Sequence, residues 1–398
     1  MNELHRRHPH GLRPLLILVA ALLSPGLVWA GPDWSKQPRD FASAILMEAE
    51  TGQVLFEENI HLPRAPASTT KLMTSLVVME QIAAGRVALS DSVRISPRSR
   101  GMGGTQVYLQ EGEIFTLEEL MQAVLIASAN DAAVAVGEYV GGTYENFIGM
   151  MNAKARSLGL KDTYFYNSHG LDDVPNRHNV TSAYDLAQIA RDLLRFPKVL
   201  DWTSRTSAPF RDGCFTLNAT NRLLGRIEGM DGLKTGFTSR AGFCLVATAE
   251  RRDMRLVAVI LGSQTSRGRF RSAQHLLEMG FTWFQVVRPF KRGEPLGVEI
   301  PVAGGKTAML RLVAGQNLSI VVPRTEQHLL KHKTFTVGLA EAPVTLGARM
   351  GYCEVLLGGK VLGRVSAVAS RAVSKASFVD RLWMGLGFGR DRAQGIVR

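Results

Sequence analysis

Cysteine is nearly absent. Cys214, Cys244 and Cys353 are the only three in 398 residues, too few and too scattered for a disulfide framework, and an odd count leaves at least one thiol outside any pair within the chain. A Cys214–Cys244 bridge and buried free thiols are equally compatible with the spacing. A zinc signature is also missing. His328 and His332 stand four apart, but no cysteine or third ligand accompanies them, so neither a metal nor another cofactor is expected. Aromatic residues make up only 7% of the chain, and no Lys/Arg stripe is interleaved with them, which argues against nucleic acid as a partner despite a formal charge of +12. Long apolar runs are lacking as well. The run Leu15 to Leu23 is shorter than the roughly 20 residues a bilayer-spanning helix needs.

That short run has Arg6, Arg7 and Arg13 before it and Val28-Trp29-Ala30 after it. This is the pattern of an export signal cut before Gly31, so residues 1–30 are set aside from the fold and the mature chain is expected to work outside the cytoplasm. Export removes three arginines and one glutamate and leaves a formal charge of +10. A basic exported chain suits lipid headgroups or cell wall better than nucleic acid. The roughly 368 residues that remain exceed what one core usually organises, and two domains are expected.

From Phe41 to about Phe284, strand-like and helical runs alternate. Ala44 to Glu57 reads as a hairpin broken at Thr51-Gly52, and from Ser68 the spacing of Leu72, Met73, Leu76, Val77 and Met79 is helical. Thr116 with Glu119 has the form of a capping box, which predicts a helix from Leu117 to about Ala127 and leaves Ser128 in a loop between two helices. Phe243 to Thr248 and Leu256 to Leu261 read as paired strands, with Lys234 to Gly236 on a strand of the same sheet and Ser272 to Phe284 as a closing helix. Beyond Pro289 come short apolar segments split by Gly304-Gly305 and Gly358-Gly359, the texture of a small β-rich domain. From Ser374, Phe378, Val379, Leu382, Trp383 and Leu386 repeat at helical spacing beside Lys375, Arg381 and Arg390, which predicts an amphipathic helix docking on a membrane surface.

Three short motifs carry the chemistry: Ser68-Thr69-Thr70-Lys71, Ser128-Ala129-Asn130 and Lys234-Thr235-Gly236. Each alone is weak, since average usage yields S-x-x-K about once by chance in a chain this long and K-T-G roughly 0.1 times. Together and in this order they form the signature of penicillin-recognising serine enzymes. A serine hydroxyl needs a neighbouring base, and Lys71, three residues on, shares its helix face. An ammonium cannot accept a proton, so Lys71 must be neutralised by burial and nearby positive charge, for which Lys234 is a source, or act through a relay. Ser128 suits proton transfer to a leaving amine and Asn130 suits a clamp. Lys234 and Thr235 can hold a substrate carboxylate, and Gly236 lets substrate lie close to the strand.

With Pro66 to Thr74, Ser128 to Ala132, His169-Gly170-Leu171-Asp172 and Asp231 to Thr238, nearly all of the mature chain resembles the serine D-alanyl-D-alanine carboxypeptidases, the low-molecular-mass penicillin-binding proteins. The resemblance implies an α/β (α+β) fold: a penicillin-binding/β-lactamase-like transpeptidase domain at 31–288, with an antiparallel sheet and a helical subdomain, a β-rich domain at 289–373 and a membrane-docking tail at 374–398. It implies catalytic Ser68, Lys71, Ser128 and Asn130, and substrate-binding Lys234, Thr235, Gly236 and Phe237. Ser68 would attack the penultimate D-Ala carbonyl of a peptidoglycan stem, with backbone N–H groups of Ser68 and Phe237 as the oxyanion hole. β-Lactam antibiotics would be trapped on the same serine, and the protein would sit in the periplasm on the outer surface of the cytoplasmic membrane.

The chain also departs from the family pattern. Gln264 stands where some members carry a carboxylate-gripping arginine, Ala129 where many have glycine, and Phe237 where several have histidine. His169 and Asp172 invite a serine–histidine–aspartate reading, but the lysine system makes a turn-stabilising role the better one. A β-lactamase would want E-x-x-x-N, and four residues after Glu145 stands Gly149. A D,D-endopeptidase and a non-catalytic wall-binding scaffold are the remaining alternatives.

Overall fold

The computed structural model describes residues 33–36, 39–172 and 176–380. The expected export signal, and the expected terminal helix from Arg381 onward, lie outside the described residues. The hairpin foreseen near the start is formed by β1 (Ser43–Glu48) and β2 (Val54–Glu58), with Gly52 in the turn at φ +74°. A 3-10 turn, Ala67–Thr70, runs into α1 (Lys71–Ala83), whose first nine residues are all buried. A two-stranded ribbon of β3 (Ser92–Arg94) and β4 (Ile114–Thr116), with α2 (Pro97–Arg100) between them, leads to α3 (Leu117–Gln122).

The capping box at Thr116 is present in both halves. Thr116 Oγ1 accepts from the Glu119 N–H at 3.2 Å, and the Glu119 carboxylate accepts from the Thr116 N–H at 2.8 Å. The helix does not continue evenly to Ala127. Its last turn, Ala123–Ala127, widens to a π turn and ends with Ser128 in the left-handed region at φ +67°. The chain then passes through α4 (Asn130–Gly141), α5 (Tyr144–Ser157), α6 (Ala183–Leu193) and α7 (Pro197–Thr203).

After the hairpin of β5 (Ser207–Phe210) and β6 (Phe215–Asn218) come β7 (Met230–Thr238), β8 (Gly242–Arg251) and β9 (Met254–Ser263). The five-stranded antiparallel sheet has the order β2-β1-β9-β8-β7. Its edge is β7, the strand that carries Lys234 to Gly236. The closing helix, α8 (Ser266–Trp283), starts six residues earlier than its apolar spacing predicts, because Arg267, Arg269 and Arg271 mask the periodicity of turns that the Thr265 side chain caps.

β1 and β9 are buried on both faces, and alternate residues feed different cores. Ile45, Met47, Val257 and Val259 pack with α1, α4 and α6, whereas Ala44, Leu46, Leu256 and Ile260 pack with α8. Each such Leu or Ile, fully withdrawn from water, contributes roughly 1.5–3 kcal/mol.

The β-rich part opens with β10 (Phe284–Phe290), within the span assigned from sequence to the first domain. It continues with β11 (Pro295–Ala303), β12 (Met309–Ala314), β13 (Leu318–Pro323), β14 (Lys331–Thr336), β15 (Ala340–Glu341), β16 (Arg349–Leu357) and β17 (Lys360–Ala369). A six-stranded sheet of order β14-β16-β17-β12-β11-β15 and a β10-β13 pair enclose a third core around Leu310, Leu312, Val355 and Val365. All three cysteines are free. Cys244 is buried in β8 and Cys214 is exposed in the β5–β6 turn, so the bridge between them is not formed.

Candidate active site

Ser68 lies in the 3-10 turn at the head of α1, pressed against the edge strand β7. A Cβ on Gly236 would stand 2.9 Å from the Pro66 carbonyl and 3.0 Å from the Ser68 nitrogen, so only glycine lets the strand approach the Ser68 backbone this closely. On the other side, the Ala67 carbonyl would meet a Cβ on Gly170 at 1.9 Å, and Gly170 holds φ +88°. Glycines from two distant segments thus clamp the serine turn.

Lys71, one residue into α1, is fully buried. Its Nζ donates to Ser68 Oγ at 3.1 Å, to Asn130 Oδ1 at 2.6 Å and to the His169 carbonyl at 2.9 Å. Burial, and then the positive charge of Lys234, hold its pKa well below the ordinary lysine value, while Asp131 works in the opposite direction. Lys234 is itself buried and donates to the Thr235 carbonyl at 3.0 Å. Burial, followed by the charge of Arg269, brings its pKa down to about 7. Burial and the neighbouring cation thus favour the neutral amine beside Ser68, the form that is able to take the hydroxyl proton.

Asn130 begins α4 and is fixed from both ends of its side chain: Oδ1 accepts from Lys71, and Nδ2 donates to the Gly103 carbonyl at 2.8 Å. Next to it, the buried Asp131 carboxylate accepts from the backbone N–H groups of Val107 and Leu109, each at 3.1 Å, and so ties down the loop over the motif. Ser128 is 5% exposed. On β7, Thr235 Oγ1 donates to Thr220 Oγ1 at 2.6 Å, and the half-exposed Phe237 stacks on Phe243 with ring centroids 4.2 Å apart.

His169 and Asp172 do not form a triad with Ser68. His169 Nδ1 accepts from the Leu171 N–H at 3.2 Å, and Asp172 faces Arg240 at 4.0 Å. Burial and the Lys71 charge hold the imidazole pKa down to about 3, so the ring is neutral and its backbone carbonyl is the group that serves Lys71. Glu145 is exposed and paired with Arg98 at 2.9 Å.

One cation was missed in the sequence. Gln264 is exposed, with its N–H bonded to Asp40, and the guanidinium that reaches β7 comes from Arg269 on α8. Its Nη1 donates to the carbonyls of Gly236 at 2.8 Å and Cys244 at 3.1 Å. The signal that was available is its place one turn into the helix that follows the second core strand.

A family model described as D-alanyl-D-alanine carboxypeptidase matches residues 35–265, and one described as the penicillin-binding protein 5 C-terminal domain matches residues 284–375. The chain is 34% identical over 361 residues to the D-alanyl-D-alanine carboxypeptidase DacF of Bacillus subtilis, covering 90% of this chain and 92% of that protein. The crystal structure of penicillin-binding protein 5 from Haemophilus influenzae is similar with a TM-score of 0.77 and 30% identity, over 84% of this chain and 98% of that one. Penicillin-binding protein D2 of Listeria monocytogenes, in its ampicillin-bound form, is similar over 61% of this chain and 97% of its own, with 32% identity and a TM-score of 0.56. The chain belongs to the D-alanyl-D-alanine carboxypeptidase family.

Proposed function

We propose that this protein removes the terminal D-Ala from peptidoglycan pentapeptide stems through an acyl-enzyme on Ser68, and that penicillin traps the same intermediate. The observation that carries this assignment is the buried Lys71 Nζ held at 3.1 Å from Ser68 Oγ, with its pKa lowered. Lys71 takes the Ser68 proton as Oγ attacks the penultimate D-Ala carbonyl. The developing oxyanion is received between the backbone N–H groups of Ser68 and Phe237. Ser128 passes a proton to the leaving D-Ala amine, and water then releases the shortened stem. Lys234 and Thr235 receive the terminal carboxylate, and Gly236 gives the substrate room on the rail. Ampicillin bound to the Listeria relative supports the β-lactam part of the reading.

Lys71→Ala tests the assignment: it should abolish penicillin labelling while the circular-dichroism spectrum stays that of a folded protein, with a lowered unfolding midpoint because the Asn130 and His169 oxygens lose their buried donor. Substantial labelling of a folded Lys71→Ala protein would remove the base role.

The working place we infer is the periplasm, at the outer surface of the cytoplasmic membrane, reached by export through residues 1–30. We assign 31–288 to the peptidase domain and 289–373 to the β-rich domain. The tail we assign to 374–398. Lys306 N–H donates to the Ser374 carbonyl and Ala376 N–H to the Gly304 carbonyl, both at 2.9 Å, so the chain is still stitched to the β-rich sheet there. Ser377 then caps a helical turn in which Phe378 and Val379 are 80% and 59% exposed. Exposed apolar side chains at the head of an amphipathic segment with flanking cations support membrane docking. Deleting residues after Ser377 should move the protein to the soluble fraction with peptide cleavage intact, and continued membrane recovery would reject the anchor.

A further inference from the structure

Beside the nucleophile, on the far side of His169, lies a groove of about 440 Å³ that the reaction outlined above does not use. We propose that it is a subsite for the upstream, acidic half of the stem peptide, with Arg177 receiving a free carboxylate two residues before the D-Ala-D-Ala pair. This rests on the carboxypeptidase reading and extends it.

The groove and the cleft share their walls. His169 lines the groove, and its carbonyl is bonded to the Lys71 amine that is in turn bonded to Ser68 Oγ, so the groove begins two hydrogen bonds from the nucleophile. Val134 on its floor is one helical turn beyond Asn130, and Met102 precedes Gly103, whose carbonyl accepts from Asn130 Nδ2. A peptide acylating Ser68 would extend its upstream residues into this space, which has the volume of a small-ligand pocket.

The lining fixes the chemistry of the occupant. Val134, Ile148 and the rings of Tyr144 and Tyr166 offer apolar surface for backbone and methyl groups. Arg98 is neutralised locally, bonded to Glu145 at 2.9 Å and lying 5.0 Å over the Tyr144 ring. His169 is uncharged, as shown above. Arg177 is exposed and takes part in no ion pair among the described residues, which leaves the lining with one positive charge over. An amphipathic peptide with one free carboxylate complements it. Peptidoglycan stems carry such a group: the γ-linked glutamate that lies two residues upstream of the cleaved pair keeps its α-carboxylate.

The test compares kcat/KM for three synthetic substrates: L-Ala-γ-D-Glu-L-Lys-D-Ala-D-Ala, the same peptide with the glutamate α-carboxylate amidated, and diacetyl-L-Lys-D-Ala-D-Ala. The wild type should favour the free carboxylate over the amide by roughly tenfold, the scale of one charge-assisted contact. Arg177→Gln should erase that preference while tripeptide hydrolysis and penicillin acylation stay unchanged. Ile148→Trp, which fills the groove, should slow both pentapeptides and spare the tripeptide. Equal wild-type rates on the free and amidated pentapeptides would overturn the subsite, as would an Arg177→Gln loss shared by all three substrates. A wild type that cleaves none of the three would overturn the carboxypeptidase reading beneath it.

Discussion

At the scale of single residues, the site is three basic side chains and a carboxylate in a buried pocket: Lys71, Lys234 and Arg269 with Asp131. Two of their pKa shifts set a pH profile. Lys71 must be neutral to act as base, so kcat/KM rises with pH as its lowered pKa is passed. Lys234 must be charged to draw in the terminal carboxylate, so kcat/KM falls again as pH rises through about 7. Bound substrate carboxylate favours the charged amine, and the falling limb of kcat should therefore lie at higher pH than that of kcat/KM. A peptide whose terminal carboxylate is amidated should keep the rising limb and lose the falling one. Lys234→Gln takes away a charge that depresses Lys71 and should shift the rising limb upward. A pH-rate series on these substrates and variants checks each point, and a wild-type profile with no falling limb would contradict the role of Lys234.

Gly236 makes a second residue-scale prediction. Because its Cβ would press on the Pro66 carbonyl and the Ser68 nitrogen, Gly236→Ala should displace the strand from the serine turn and cost about 10²–10³ in acylation rate, the scale of one oxyanion donor. Stopped-flow acylation by a chromogenic β-lactam measures it, and a wild-type rate would mean that the close approach is not needed. The groups proposed to react were legible in the sequence because S-x-x-K, S-x-N and K-T-G are fixed by local spacing. The His169 carbonyl and Arg269 were not. They act across sequence separations of 98 and 33 residues, and nothing near them in the chain announces that contact.

At the scale of elements, the capping box at Thr116 was readable from the sequence alone, because its two partners are three residues apart. Thr116→Ala should cost about 1 kcal/mol of stability, measured as a shift in denaturant midpoint at constant slope, and no change would make the cap redundant. The π turn that follows was not readable. An Ala-Val-Leu-Ile-Ala run carries no mark of the extra residue, and yet it lets the Ala129 N–H bond the Ala123 carbonyl at 3.0 Å as Ser128 turns into the left-handed region. The same lesson applies to α8. Its start is set by the Thr265 cap, whereas its apolar spacing emerges only after the arginine-rich first turns.

At the scale of the molecule, a two-faced sheet and a separate β-rich core divide the labour. The sheet orders β7 against the serine turn, and the helices on one face bury Lys71. The β-rich part holds its own core, but Val321 from β13 packs into the core beneath the peptidase sheet alongside Phe284. A protein ending at residue 288 should therefore acylate with penicillin at the wild-type rate and unfold at a lower temperature. Loss of acylation in that truncated protein, if it is still folded, would show that the β-rich domain shapes the cleft. The two-domain expectation followed from length and from the loss of helical periodicity. The joining strand β10 did not, since Phe284 continues the apolar pattern of the helix before it.

The central claim is acyl transfer through Ser68, and mass spectrometry of the purified protein with a D-Ala-D-Ala pentapeptide and, separately, with penicillin tests it most directly against Ser68→Ala. The account predicts release of one D-Ala and a stoichiometric penicillin adduct in the wild type, both absent from the variant. An adduct without D-Ala release, or D-Ala release that survives Ser68→Ala, would contradict it.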